Sequence, residues 1–301
     1  MERLVSLCKR RGFVFPSSEL YGGLQGFWDW GPLGVELKNN IKKEWWKRFV
    51  QERNDVVGLD SAIITNPEVW KKSGHLSTFS DPLVECKSCH RRYKFDELQS
   101  KEWKSATSDF HCPNCGKEQA TGVQQFHLML QTSVGPVQDS GSVAYLRPET
   151  AQNIFVNFEN VVSSMRSKIP FGIAQIGKAF RNEITPGNFV FRSREFEQME
   201  LEYFVQEKEA VKSFDFWVEE TLAFYTDLGI HKEHLKLRKQ SKEELAHYAK
   251  ATTDIEYLWL FDKGWAELTG IANRGDFDLK NHGQTFKDES GPFVPWVIEP
   301  S

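Results

Sequence analysis

Residues 171–204 read as strand on both sides of Thr185-Pro186-Gly187-Asn188, a strong turn signal, so the middle of the chain is a long β-hairpin. Consecutive strands joined this way must be antiparallel, and strand runs interspersed with helices flank them. Leu33, Leu37, Ile41, Trp45 and Phe49 recur every fourth residue behind Pro32, which suits the first helical position, and predict a helix of about four or five turns. Val56 to Thr65 reads as a β-rich run closed by Asn66-Pro67, and 126–132 as a strand. A helix is expected to start at Arg147-Pro148-Glu149, with others over 208–228 and 242–251, and strands over 265–272 and 293–298. The expected class is α+β: a mostly antiparallel sheet flanked by helices.

Composition narrows what such a fold can do. No apolar run approaches the ~18 residues a spanning helix needs, and the opening MERLVSLCKRRGFVF lacks a signal-peptide pattern, so a membrane or secreted protein is disfavoured. A net charge of −4 excludes a globally basic nucleic-acid coat, though not a local patch. Four of the five cysteines form Cys86-x-x-Cys89 and Cys112-x-x-Cys115. Two thiolates on each of two tight turns suit a closed tetrahedral Zn²⁺ site and a reducing compartment, so the expected role of the metal is to fold residues 86–118. His90 and His111 adjoin the ligands without replacing them, and Cys8 is expected to be packed on an apolar helix face.

Gly172-Ile-Ala-Gln-Ile-Gly177-Lys178-Ala179 nearly matches a phosphate-binding loop. Ala179 has no hydroxyl for Mg²⁺ and the interior reads as strand, so that match is rejected. The hairpin itself is the better nucleotide candidate. Arg181 and Glu183 precede the turn; Arg192, Arg194, Phe196 and Glu200 follow it, and alternation would set each group along one face. Such a row is either a solvated ladder of cross-strand ion pairs or a nucleotide site. Arginine forks match phosphate, a phenyl plane matches adenine, and a four-residue step of about 13 Å spans a nucleotide beside a small second substrate.

Phe180-Arg181-x-Glu183, a loop, and Arg192-xxx-Phe196-xxx-Glu200 resemble motif 2 of class II aminoacyl-tRNA synthetases. Tyr21-Gly22-Gly23, Gly31-Pro-Leu-Gly-Val-Glu-Leu-Lys-Asn-Asn40, Ser73-Gly-His75, Arg147-Pro-Glu-Thr-Ala-Gln152 and Val297-Ile-Glu-Pro-Ser301 are similar to landmarks of the dimeric glycyl-tRNA synthetases, over nearly the whole chain. The resemblance implies activation of glycine by ATP to glycyl-adenylate and transfer to the 3′ end of tRNA(Gly), in a cytoplasmic homodimer built through the Leu33–Pro67 segment, which resembles motif 1. It also implies three parts: 1–85 with motif 1, the zinc-binding insertion 86–118, and 119–301 with motif 2.

By the same resemblance Arg181 grips the α-phosphate and the attacking carboxylate, Glu183 accepts from the adenine amino group, Phe196 stacks on the ring and Arg192 holds the outer phosphates. Asn182, Phe191, Glu267, Leu268 and Arg274 complete the implied ATP contacts, with Mg²⁺ beside Glu267 and Glu299; Glu267 is equally readable as a nucleotide contact. The implied glycine pocket comprises Arg147, Glu149, Phe196, Gln198, Glu200, Glu299 and Ser301. Converging carboxylates would attract its ammonium and a filled pocket would reject anything larger. Glu149 is also readable as a first-turn helix acid, and Arg147 and Arg274 as surface ion-pair members. Lys94 stands where relatives use an arginine, and an ammonium cannot copy a bidentate fork. The family's motif 3 follows Glu-Pro-Ser, where this sequence stops, so motif 3 is expected to be missing and adenylate formation impaired. A synthetase-like protein that binds a ligand or partner without charging tRNA is the alternative; a zinc-ribbon RNA-binding module is a weaker third.

Overall fold

A computed structural model describes residues 2–95, 111–137, 141–187, 189–259 and 264–300. Its frame is a seven-stranded sheet. In chain order the strands are β1 (Val56–Gly58), β2 (Phe171–Phe180), β3 (Glu195–Val205), β4 (Leu235–Lys239), β5 (Ala251–Leu258), β6 (Trp265–Gly275) and β7 (Trp296–Pro300), arranged β4-β5-β6-β7-β3-β2-β1. Every pairing is antiparallel except β1 with β2. The hairpin stands at the centre, with Phe171 opposite Phe204 and Phe180 opposite Glu195.

Side chains alternate across the sheet, and the two faces differ. Ala174, Leu201, Tyr203, Val205, Ile255, Ile271 and Ile298 pack beneath the helices Pro32–Trp46 and Ala210–Asp227, together with Trp45, Phe49 and Trp217. On the opposite face, Phe171, Ile173, Phe204 and Val297 pack under Ala151–Val156, Phe158–Met165 and Phe277–His282. Further along β3 this second face turns polar, through Glu202, Glu200 and Gln198 to Phe196. That polar end floors the site.

The first long helix begins at Pro32 as expected and passes into a π-turn over Lys47–Gln51. Only its C-terminal half is core: Trp45 and Phe49 are buried, whereas Leu33 and Leu37 are each 50% exposed. Gly34 lets the helix touch the preceding chain, since a Cβ there would lie 1.9 Å from the Phe13 carbonyl oxygen. Val56 to Thr65 is not one strand: β1 stops at Gly58, and Ile64–Thr65 joins a different, three-stranded sheet. The 126–132 run is likewise two strands, Gln124–His127 and Leu130–Ser133, and 293–298 is split by Pro295. The helix expected at Arg147 starts at Ala151, because Arg147 itself is buried beneath the sheet's loops.

No helix forms over 242–251. Glu244 folds back to accept from the Ser241 amide at 2.9 Å and pairs with Arg238, while Tyr248 lies on the Arg274 guanidinium, 3.9 Å from the ring centroid. The Glu244 and Tyr248 contacts to Arg238 and Arg274, each on a strand of the sheet, outweigh the local helical preference. The Glu2–Arg10 helix has no buried residue, so Cys8 is half-buried rather than a core cysteine. Among the described residues no helix is long and apolar enough to cross a membrane.

Candidate functional site

The strands of the hairpin end at Phe180 and resume at Glu195, so residues 181–194 form a loop rather than a continuing ladder. Arg181, Asn182, Glu183, Phe191 and Arg192 therefore sit on loop backbone, while Phe196, Gln198 and Glu200 ride on β3. Asn188 of the turn lies outside the described residues. Arg194 is not in the row with Phe196 and Glu200. Its guanidinium donates to the Glu183 carbonyl at 3.1 and 2.8 Å and to the Gln25 carbonyl at 2.7 Å, stapling the loop to the glycine-rich N-terminal segment.

A cavity of about 930 Å³ opens beside this loop, lined among others by Phe79, Lys94, Arg181, Glu183, Phe191, Arg192 and Phe196. Arg181 donates through Nε to the Pro148 carbonyl at 3.0 Å, and its guanidinium lies 5.2 Å from the Phe196 ring centroid and 5.6 Å from that of Phe79. Both distances are within cation–π range, so the two rings help hold the guanidinium in place. Lys94 reaches the same cavity paired with Asp81.

Next to Arg181 the start of the Ala151–Val156 helix docks on β3. The Thr150 hydroxyl donates to Glu200, the Thr150 amide donates to Gln198 Oε1 at 3.2 Å, and Gln198 Nε2 donates to the other Glu200 oxygen at 2.8 Å. Glu149 accepts from Gln152 Nε2 at 3.1 Å and meets His75 Nε2 at 3.3 Å; His75 is fixed in turn by the Ser73 hydroxyl. The two carboxyls are driven apart electrostatically. Burial opposes ionisation of Glu149, but His75, Arg274 and Arg181 hold it far below the usual carboxylate range. Burial and the charges of Glu299 and Glu149 push Glu200 up to about 8.

Arg274 is the hub beneath this pocket, not a surface ion-pair member. Only 2% exposed, it donates to both Asp278 oxygens at 2.7 and 2.9 Å and forks through Nη1 onto both Glu299 oxygens at 3.0 Å. Gln152 adds a bond to Asp278 at 3.0 Å and His282 one to Gln152 at 2.9 Å. Arg147 is also buried, donating to the Lys178 carbonyl at 2.7 Å and to Ser61 at 3.0 and 2.9 Å. Gly177 makes room for it, as a Cβ there would lie 2.1 Å from Nη2. Its hydrogen bonds thus go to the fold, in contrast to a surface ion pair.

Glu267 and Glu299 are not brought together as a magnesium site. Glu299 lies opposite Ala272 on β6 with both oxygens on Arg274, whereas Glu267 is exposed five residues away along β6, beside Leu268 and opposite Glu256. Ser301 lies outside the described residues. Sequence reasoning missed Thr150, Gln152, Asp278 and Glu202, and assigned no role to His75. Period-two alternation from Glu200 points to Glu202; the others become visible only when the helices dock.

The four cysteines do converge. Their sulfurs lie within 4.8 Å of one another, with Cys86–Cys115 at 3.7 Å and Cys89–Cys112 at 3.6 Å. Four bonds of about 2.3 Å in a tetrahedron would set sulfurs about 3.8 Å apart, so the donor set fits a closed thiolate metal centre. Tyr93 Oη lies 3.3 Å from the Cys112 sulfur. The knuckles hang from strands Ser80–Glu85 and Arg92–Lys94, joined by Gln124–His127, so their frame reaches beyond 86–118; residues 96–110 lie outside the described ones.

Residues 134–293 match the family model of the tRNA synthetase class II core domain (G, H, P, S and T). The chain is 54% identical to a glycine–tRNA ligase of Thermobifida fusca and 52% identical to one of Geobacillus thermodenitrificans, in each case over all of this chain and 69% or 70% of the relative. Among solved structures, a prolyl-tRNA synthetase of Cryptosporidium parvum complexed with halofuginone and AMPPNP superposes with a TM-score of 0.67 at 14% identity, covering 97% of this chain and 48% of that one. That likeness shows the shared fold.

Proposed function

Since the chain belongs to the glycine–tRNA ligases, a family of class II aminoacyl-tRNA synthetases, we propose that it supplies the amino-acid-activating site of such an enzyme, with these residues in these roles. Glycine enters with its ammonium toward Glu149 and Glu200, and ATP lies over the 181–194 loop. A glycine carboxylate oxygen attacks the α-phosphorus, a new O–P bond forms, and the bond to the pyrophosphate leaving group breaks. Arg181 bridges the attacking carboxylate and the α-phosphate and stabilises charge that grows on the phosphoryl oxygens. Phe196 supplies the adenine platform, Glu183 the acceptor for its amino group, and Arg192 the charge for the outer phosphates. Asn182, Phe191, Leu268 and Glu267 border the nucleotide. Mg²⁺ arrives with ATP. The ribose hydroxyl at the 3′ end of tRNA(Gly) then attacks the glycyl carbonyl and AMP leaves.

The observation that carries this reading is the convergence of Glu149 and Glu200, through Thr150 and Gln198, beside the Arg181 guanidinium, which lies close to the Phe79 and Phe196 rings. An acidic recess next to a cationic, aromatic wall suits a small ammonium carboxylate and a nucleotide phosphate side by side. The test is Glu200→Gln in glycine-dependent ATP–pyrophosphate exchange. Loss of a charge-assisted hydrogen bond of about 1.5–3 kcal/mol should raise the glycine KM roughly 10- to 100-fold and leave the ATP KM near its starting value. An unchanged glycine KM would count against the assignment.

The four thiolates hold a structural zinc, and such a set belongs to the reducing cytoplasm. Purified protein should carry about one zinc per chain by atomic absorption, and Cys112→Ser should lose it with local unfolding of the knuckles, read as new proteolytic cleavage between residues 86 and 118. Retention of full zinc by that variant would refute the ligand set. The exposed Leu33, Leu37 and Trp30, with Leu20 and Tyr21 nearly 90% exposed, make the motif 1 side the surface for a second copy of the chain.

A further inference from the structure

Glu202 is a buried acid for which the described residues supply no counterpart. Its side chain is 0% exposed and neither carboxyl oxygen has a hydrogen-bond partner. A buried polar group left in that state calls for an explanation. Glu202 follows Glu200 by one strand repeat on the site face of β3. The ladder sets Tyr203 opposite Ile298 and Phe204 opposite Val297, so one step further in the same register Glu202 stands opposite Glu299. Two carboxylates facing each other across a ladder repel.

The charged groups around Glu202 are Glu200 on its own strand, Glu299 on β7, Arg274 on β6 and Asp278 on the Phe277–His282 helix; on β2 its neighbour is Ile173. Arg274 is already committed, with Nε and Nη2 on Asp278 and Nη1 on Glu299. A shared metal ion is disfavoured by geometry, because among the described residues the four cysteines are the set whose donor atoms come close enough to hold one. A proton is the remaining counter-charge. Glu200 at least accepts from Thr150 and Gln198, whereas Glu202 accepts from nothing, so of the two acids Glu202 holds a proton more firmly.

We propose that Glu202 keeps its proton at neutral pH and acts as a positioning residue, a neutral spacer that adds no further negative charge beside Glu200, so that the ammonium of glycine can draw Glu200 into its ionised form, and that leaves Glu299 ionised on Arg274. The role, though not the proton, rests on the glycine reading above. Burial together with the Glu299 charge pushes the Glu202 carboxyl well above the ordinary range, with Arg274 pulling the other way.

The test compares the wild-type enzyme with Glu202→Gln, a neutral isostere, and Glu202→Ala. Infrared spectra at neutral pH should contain a protonated-carboxyl C=O band that the Gln variant lacks. An acid protonated in the native state but titrating near about 4.3 when unfolded costs stability as pH rises above that value. The Gln variant should therefore have the higher unfolding midpoint at about pH 8, with the gap closing toward about pH 4. The alkaline fall in kcat/KM for glycine should shift in the Gln variant, and Glu202→Ala should raise the glycine KM several-fold while Gln restores it. No protonated band and no pH-dependent gap in stability would overturn the proposal. A band with no response of glycine kinetics to Glu202→Ala would overturn the positioning role. If Glu200→Gln were silent as well, the glycine reading would fail, and the infrared and unfolding results would still decide the proton.

Discussion

Arg181→Ala is expected to slow glycine-dependent ATP–pyrophosphate exchange by on the order of a hundred- to a thousandfold, the cost of deleting one preorganised donor aimed at developing charge. The side chain has little freedom to be replaced. Its Nε is tied to the Pro148 carbonyl, and its guanidinium lies within cation–π distance of Phe79 and Phe196. Arg181→Lys keeps the charge but not the fork, so it should recover only a minor part of the rate. The loss should fall mainly on kcat, because a contact that bridges nucleophile and phosphate strengthens as the O–P bond forms. Exchange kinetics at saturating ATP and glycine would show it. A variant with near-normal kcat and only a raised ATP KM would mean that Arg181 binds nucleotide without assisting the step.

The second large effect concerns the fold rather than the chemistry. Arg274→Met is expected to destabilise the protein by about 3–5 kcal/mol, as it leaves two buried carboxylates without their cation. Asp278 is 1% exposed and Glu299 8%, so water cannot take over. The variant would hold the Glu299 carboxyl further above its unfolded value, with no cation to oppose its burial. Its stability should therefore recover as pH falls through the carboxylate range and be lost again as pH rises, the reverse of an ion pair that needs ionised acids. Urea denaturation of wild type and variant at several pH values would test this. A pH-independent deficit would point to lost packing against Tyr248 and Phe155 instead.

Much of this was legible before any coordinate. The hairpin followed from strand-like runs around a turn signal, and the cysteine pairs converge as their spacing implies. What failed has physical causes. Arg194 fits an alternation with Phe196 by counting, but the strand begins only at Glu195, and the arginine turns back to loop carbonyls. The 242–251 helix was lost to Tyr248 and Glu244, whose partners are distant or lie on other strands. Arg147 and Arg274 were equally readable as surface ion-pair members, yet both are buried, one turned toward backbone carbonyls and the other toward carboxylates. Sequence marks which side chains are charged; only packing decides what they are spent on.

The hairpin also divides the site by stiffness. Glu200 and Gln198 stand on backbone that is laddered to β2 along its length, whereas Arg181, Glu183 and Arg192 stand on the connection between the strands. An acid on a laddered strand cannot shift without breaking backbone bonds, whereas the connection is pinned at separate points, by the Arg194 guanidinium on Gln25 and Glu183 and by the Arg181 side chain on Pro148. If glycine and ATP bind as proposed, the amino acid is measured against the laddered strand and the nucleotide against a connection held at those points. Tolerance to substrate shape should follow the same line, strict on one side of Phe196 and forgiving on the other.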